Sequence, residues 1–184
     1  FPCLSDQISS GKFLSGCEAT SDLIAGDPLK FCNILQNPDI VVKLERTLKH
    51  IIHEIKGMLA EAKIVLGSLF ETEYSHHYGI ENFREVGTVL ITVVNRSYAK
   101  KLLVQLPNQR HPSHMHKLKE ETFVVLSGTI DIWLEGVHHH LIPGEQITVL
   151  PGVWHSFLSK DGAIVEEIST TAIKGDSVYK DEKI

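Results

Sequence analysis

The sequence is poor in cysteine and has none of the long apolar or basic runs that mark membrane and nucleic-acid proteins. Its three cysteines are Cys3, Cys17 and Cys32, and no CxxC pattern occurs. An odd number at irregular spacing argues against a disulfide scaffold and favours a reduced, cytoplasmic compartment. No apolar stretch approaches the roughly 20 residues of a membrane span, and no signal-peptide pattern is present.

The charge balance argues against a nucleic-acid partner. Eighteen Lys and Arg against 23 Asp and Glu give a net charge of −5, and without a basic run we expect no nucleic-acid partner. The 184 residues, 42% of them hydrophobic, suit one globular domain with some surplus. Because the first residue is Phe1 rather than Met, we expect the chain to be part of a longer polypeptide.

Changes in periodicity divide the chain into three regions. Residues 1–36 contain Gly, Ser, Asp and Pro residues that interrupt regular secondary structure, and they are interpreted as a linker or the tail of an upstream region. Residues 37–70 are predicted to hold an amphipathic helix that begins at Asn37-Pro38-Asp39 and ends near Gly67. Its apolar residues recur in steps of three and four: Val41, Leu44, Leu48, Ile51, Ile55, Met58 and Ala62. This stripe predicts packing either on the chain's own domain or on a second subunit or absent domain.

From residue 71 to residue 184 the pattern is that of a small β-rich domain. Short β-rich runs lie at 86–94, 101–106, 122–127, 129–134, 138–142, 146–150 and 163–169. Glycine or proline separates many of them, so the region is predicted to be mainly β, as a sandwich or barrel. The Glu135-Gly136 pair predicts a hairpin, whose second strand would leave His138 and His140 exposed on one face.

Three histidines and one glutamate have the spacing of a metal site. His114 and His116 would project from one face of a strand. Glu121 stands at an odd offset from His116, so it joins them only if the chain turns within residues 117–120 and Glu121 opens the next strand. His155 would reach the same cavity from a later strand. The donor set favours Zn, Mn, Fe, Ni or Co over Mg or Ca.

The same residues carry a resemblance to a known family. His114-Met115-His116, Glu121 and Gly128 resemble the first motif of the cupin superfamily, and the segment from Gly144 to His155 resembles the second. The resemblance implies a double-stranded β-helix, or jelly-roll, barrel with an N-terminal helical segment. Short segments between residues 74 and 181 resemble the C-terminal cupin domain of sialic-acid (N-acylneuraminate) synthase-like proteins, which is related to the D-lyxose isomerase family. They lie at residues 74–79, 83–87, 119–123, 152–157 and 166–171.

That resemblance implies a metal-dependent sugar-active protein. On a six-coordinate ion, four protein ligands leave two positions for a sugar carbonyl and its neighbouring hydroxyl, and an enediolate would form with the ion as Lewis acid. A side-chain base must then move a proton between C1 and C2. The candidates are Glu167 or its neighbour Glu166, together with Lys101 and Lys119.

Three further residues are candidates for substrate binding. His111 lies near the metal motif, Trp154 flanks His155 and offers a ring face, and Arg84 could hold an acidic substituent unless it forms a structural ion pair. His76-His77 precedes the barrel, so contact with substrate or a neighbouring subunit is the interpretation there.

Three functions stay open at this point. The first is an aldose–ketose isomerase acting on a sugar or sugar acid. The second is a non-catalytic carbohydrate-binding or regulatory module of a sialic-acid synthase-like protein, and the third is an Fe(II) oxygenase with the same ligands. Cupins commonly pair, so a homodimer is expected.

Overall fold

The described part of the chain folds into two facing β-sheets with a long helix on the outside. The structure is a computed structural model that describes residues 38–67 and 70–184, with side chains from Arg46 onward. The predicted linker at 1–36 and the three cysteines lie outside these residues. The elements in chain order are α1 (Pro38–Glu61), β1 (Glu71–His76), β2 (Gly87–Asn95), β3 (Tyr98–Gln105), β4 (Gln109–His116), β5 (Glu121–Gly128), β6 (Ile130–Leu134), β7 (Val137–Leu141), β8 (Gln146–Val149), β9 (His155–Ser159), β10 (Ala163–Thr170) and β11 (Ser177–Tyr179).

The two sheets enclose one core. The six-stranded sheet has the order β1-β2-β3-β10-β5-β8 and the five-stranded sheet the order β11-β4-β9-β6-β7. Phe123, Val125 and Val165 from the first sheet meet Ile132 and Phe157 from the second in a buried cluster. Alternating inward residues of both sheets therefore fill the barrel, and the predicted mainly β jelly-roll fold is confirmed.

The strands follow the sequence pattern closely. Each of the seven predicted runs corresponds to one strand, from β2 to β10, and β4 and β9 are the strands that the histidine spacing requires. Glu135 and Gly136 have φ values of 48° and 82°, so they form the tight hairpin turn between β6 and β7. The sequence signals were weakest for β1, which is polar, and for β11, which has three residues.

The helix ends earlier than the sequence predicts. It stops at Glu61 instead of near Gly67, because Lys63 takes a left-handed conformation with φ 58°. The Lys63 N–H donates to Ala60 O at 3.0 Å and the Ile64 N–H donates to Leu59 O at 2.9 Å. This is the Schellman pattern, and the packing of Ile64 and Leu59 in one apolar cluster completes it.

The apolar stripe of α1 packs on its own domain. Ile51, Ile55 and Leu59 are buried against residues of β2 and β3 such as Ile91 and Val104. Of the two packings that the sequence left open, the intramolecular one is observed for the described side chains. The helix is thus a cover for the outer face of the six-stranded sheet. In the described part of the chain no helix is both long and apolar enough to cross a membrane.

We expect Ile51→Val to lower the free energy of unfolding by about 0.5–1.5 kcal/mol, since Ile51 is 1% exposed and a buried methylene is lost. Urea denaturation of the purified protein measures this. Ile52→Val is the matched control, because Ile52 is half-buried and outside the core cluster, and its effect should stay within about 0.5 kcal/mol. Equal midpoints for both variants would contradict a stabilising role for this stripe.

Candidate metal centre

The barrel brings the four predicted ligands together. His114 and His116 close β4, Glu121 opens β5 and His155 opens β9. One ligand atom from each lies within 4.8 Å of all the others. The four side chains are buried, with exposed fractions of 7% or less. Glu121 Oε1 lies 2.9 Å from His155 Nε2 and 3.5 Å from His116 Nε2.

The turn that strand parity requires is present at residues 117–120. The Asp176 carboxylate, which is 6% exposed, holds this bend from the C-terminal side. It accepts the Leu118 N–H at 2.9 Å through Oδ1 and the Lys119 N–H at 3.0 Å through Oδ2. Glu121 consequently begins the next strand on the same cavity as His114 and His116.

A β-bulge adds a fourth histidine to the interior. His111 stands opposite Phe157 and His114 opposite His155, so three steps on β4 match two on β9. The extra residue restores the inward direction, and His111 and His114 both face the barrel. Their ring centroids lie 4.6 Å apart. A straight strand would have sent them to opposite faces.

Backbone acceptors orient two of the three ligand rings. Nδ1 of His114 lies 3.1 Å from Pro112 O, and Nδ1 of His155 lies 3.1 Å from Val153 O. A carbonyl can only accept, so each Nδ1 carries the proton and each Nε2 presents its lone pair to the cluster. His116 Nδ1 lies 3.2 Å from Ser177 Oγ.

The electrostatics keep these side chains in the forms that bind metal. Burial, followed by the neighbouring imidazoles, lowers the pKa of His114 well below its usual value. Burial likewise lowers the pKa of His116 to about 4. For Glu121 burial acts in the opposite direction, but the Lys119 ammonium, whose Nζ lies 2.6 Å from Oε2, outweighs it and lowers the pKa of this carboxyl. The site therefore offers neutral imidazoles at His114 and His116 and an ionised carboxylate at Glu121.

Two buried atoms of the cluster need a cation. Glu121 Oε1 and His155 Nε2 have no hydrogen-bond partner among the described residues, although they lie 2.9 Å apart. Because both atoms are acceptors and lie close together, a positive ion bound to both would satisfy them. The donor set of nitrogen and carboxylate oxygen fits a divalent transition metal.

Lys119 links the cluster to Glu167. Its Nζ lies 2.6 Å from Glu121 Oε2 and 3.0 Å from Glu167 Oε1. Burial would lower the pKa of Lys119, but Glu167 and Glu121 outweigh it and raise that pKa. Ser169 Oγ also donates to Glu167 Oε1 at 3.3 Å. A lysine in a turn is usually solvated, whereas Lys119 is buried and paired with two carboxylates.

Strand alternation separates the two candidate glutamates. Glu167 faces the barrel and is 4% exposed, whereas Glu166 faces outward and pairs with Lys100 at 2.6 Å. Lys101 stands opposite Glu167 in the pairing of β3 and β10. Within the described residues no ion pair of Lys101 is found, and its predicted role stays a prediction.

Of two candidates for substrate binding, His111 lies beside the cluster and Trp154 has no described ring contact with it. His111 lies beside the cluster, stacked on Phe157 at 4.7 Å, with its Nε2 3.1 Å from His77 Nε2. Trp154 is held through its backbone N–H, which donates to Glu135 at 2.9 Å, and no described ring contact joins it to the cluster. It precedes the inward-facing His155 and lies next to the β6–β7 turn.

Arg84 forms its described ion pair with the helix and not with a residue of the cluster. Its guanidinium forms a two-pronged ion pair with Glu54 of α1, with Nη2 2.8 Å from Oε1. This pair joins the segment before β2 to the helix. The structural alternative to substrate binding is the one observed.

Two residues near the C-terminus complete the site, and sequence reasoning missed both. Asp176 holds the bend, and Tyr179 stacks on His114 with ring centroids 5.5 Å apart. Burial, then the charges of Glu73 and Glu121, raise the pKa of Tyr179 to about 12. Both residues lie on or beside β11, which pairs with β4. A strand of three residues is too short to show periodicity, so no local signal identifies them.

We expect Asp176→Asn to weaken metal binding by about 10–100-fold, because it loosens both the 117–120 bend and the surroundings of His116. Titration of the chelator-treated protein with Zn(II) in the presence of a competing indicator measures the affinity. Asp181→Asn is the control, since Asp181 bonds Tyr78 at the surface and lies outside the cluster. Unchanged affinity in Asp176→Asn would remove Asp176 from the site.

Comparison with known proteins relates the chain to sugar isomerases. The cupin domain family model matches residues 102–170, which include the cluster and Glu167. The D-lyxose ketol-isomerase of Cohnella laeviribosi is 30% identical over 136 residues, covering 58% of this chain and 75% of the relative. That of a Thermofilum species is 28% identical over 169 residues, covering 77% and 87%.

Solved structures agree on the fold. The L-ribose isomerase of Cellulomonas parahominis superposes with a TM-score of 0.62 at 13% identity, over 75% of this chain and 93% of that one. The L-ribose isomerase of Acinetobacter sp. DL28 gives 0.59 at 11% identity, over 69% and 81%. At such identities the likeness concerns the fold alone.

Proposed function

Because the chain belongs to the cupin superfamily and, within it, to the family of the D-lyxose ketol-isomerases, we propose that it is a metal-dependent aldose–ketose isomerase. One observation carries the proposal: the buried carboxylate of Glu167 stands beside the four-residue cluster, joined to it by Lys119. A binding module needs only side chains that bind its sugar. An isomerase also needs a base at the reacting carbons, and we propose Glu167 for that role.

His114, His116, Glu121 and His155 would hold the ion, of the class Zn, Mn, Fe, Ni or Co. When bound, the ion acts as a Lewis acid on the oxygens of the open-chain sugar. The three imidazoles and the carboxylate fix its place, and the backbone acceptors of His114 and His155 prevent their rings from turning away.

Glu167 would move the proton. The C2–H bond of the aldose breaks and its proton passes to a Glu167 oxygen, after which the same carboxyl returns it to C1. The hydroxyl proton on O2 passes to O1, so the aldehyde becomes an alcohol and C2 becomes the ketone. No redox partner is needed. The ammonium of Lys119 keeps Glu167 oriented and balances the charge of its carboxylate before the first transfer and after the second.

The surroundings favour a neutral sugar over a sugar acid. Arg84, the residue expected to hold an acidic substituent, is paired with Glu54, and Lys119 is engaged by two carboxylates. His111, which lies beside the cluster, is proposed to line the sugar. The base role predicted for Lys101 and the ring contact predicted for Trp154 stay predictions. D-lyxose, the sugar named for the relatives, is the first substrate to try.

A panel of aldoses tests the proposal. The chelator-treated protein, reloaded separately with Mn, Co, Ni, Zn or Fe(II), is incubated with D-lyxose, L-ribose or D-mannose, and ketose formation is followed. Metal-dependent ketose formation supports the isomerase. Sugar binding without turnover would favour the module of a sialic-acid synthase-like protein, and oxygen consumption with Fe(II) would favour the oxygenase. The homodimer and the cytoplasmic location stay predictions.

A further inference from the structure

A second group of metal-binding side chains lies on the outside of the β6–β7 hairpin, remote from the reaction proposed above. His138 and His140 are two residues apart on β7, so both project from one face. Asp131 of β6 stands directly opposite His140 in the strand pairing. In the strand order of the five-stranded sheet β7 lies at the end, so the group is open to solvent.

The two imidazoles share one carboxylate oxygen as their acceptor. His138 Nε2 lies 2.7 Å and His140 Nδ1 lies 2.9 Å from the same oxygen, Asp131 Oδ1. The two rings are about half exposed, and Asp131 is 23% exposed. Burial opposes the charge of Asp131, but the hydrogen bonds to His140 and His138 prevail and lower its pKa. A carboxylate that is ionised at neutral pH thus stands between two imidazoles.

We propose that Asp131, His138 and His140 form a second binding site for a divalent transition metal. Two imidazoles and a carboxylate are a common ligand set for Zn, Ni and Cu, and solvent would complete the coordination. The proton of each neutral ring moves to its other nitrogen, so the nitrogens that face Asp131 become ligands. The N···O distances must then open to about 3.3–3.6 Å, which is the separation of two ligand atoms that each lie 2.0–2.2 Å from one ion at a tetrahedral angle. Exposed side chains can make that adjustment.

The hairpin also contains a tryptophan whose fluorescence can report metal binding. Trp133 pairs with His138 across the strands, and their ring centroids lie 5.0 Å apart. The chain has only two tryptophans, so a Trp154→Phe background leaves Trp133 as the sole one. A paramagnetic ion held by His138 would quench this fluorescence.

The test is a Cu(II) titration of the full chain in the Trp154→Phe background, with Zn(II) as a competitor that does not quench. We expect the first equivalent to fill the barrel cluster and a second equivalent to give saturable quenching, with this second binding step at least about tenfold weaker in His138→Gln, His140→Gln and Asp131→Asn. His139→Gln is the matched control. His139 lies on the same strand but pairs with the core residue Ile132, on the opposite face, and its substitution should leave the quenching unchanged.

Three results would overturn the site. One is quenching that does not saturate, and another is quenching that His138→Gln, His139→Gln and His140→Gln reduce equally, which is the behaviour of adventitious surface binding. The third is quenching that persists in His138→Gln but disappears in His114→Ala, because the ion would then be in the barrel. Circular dichroism of each variant checks that it is folded.

Discussion

Glu167→Gln is expected to lower the turnover number for aldose–ketose interconversion by about 10²–10⁴-fold, the range for loss of a positioned acid–base group. The amide keeps the size of the side chain and can still accept from Lys119, but it cannot take a proton from C2. Because Glu167 is not one of the four clustered ligands, metal content should stay at the level of the unmodified protein. Ketose formation and elemental analysis of the same preparation measure the two quantities separately.

The neighbouring glutamate provides the control. Glu166→Gln changes the same chemical group one residue away, on the outer face where Glu166 pairs with Lys100. Its turnover should match that of the unmodified protein within about twofold, since a surface ion pair contributes at most about 1 kcal/mol. If Glu167→Gln retains full turnover while it retains its metal, Glu167 is not the base and proton transfer through its carboxylate is ruled out.

The part of the site that could be predicted from the sequence is the part that local geometry determines. Strand alternation places His114 and His116 on one face, and parity alone requires a turn before Glu121. The same alternation allowed only one of Glu166 and Glu167 to face the barrel. Each of these conclusions follows from the period of a β-strand alone.

What the sequence could not show depends on residues distant in the chain. Asp176 binds the amides of residues 118 and 119 from almost sixty positions away, through a pairing of β11 with β4 that has no sequence signature. Arg84 is drawn to Glu54 because α1 covers the sheet beside it. The bulge that turns His111 inward is likewise a feature of strand pairing. Lys63 adopts a positive φ, which a lysine at this position does not predict.

The second large effect is expected when metal is removed from the barrel. Adding Zn(II) at about 1,000 times its dissociation constant should stabilise the chelator-treated protein by about 4.1 kcal/mol, because the ion binds only the folded cluster. For a chain of this length that corresponds to a rise in melting temperature of about 8–16 °C. Calorimetry with and without chelator measures the shift.

The physical cause of that shift is the burial of unpaired polar atoms. Without an ion, His155 Nε2 and Glu121 Oε1 face each other in the barrel with no hydrogen-bond partner among the described residues, and each unsatisfied buried group costs about 1–3 kcal/mol. His155→Ala removes one of these ligands, so it should abolish most of the shift induced by Zn(II). His138→Gln, which alters only the exposed hairpin, should keep the shift. An undiminished shift in His155→Ala together with its loss in His138→Gln would place the stabilising ion at the hairpin and remove the barrel cluster as the principal metal centre.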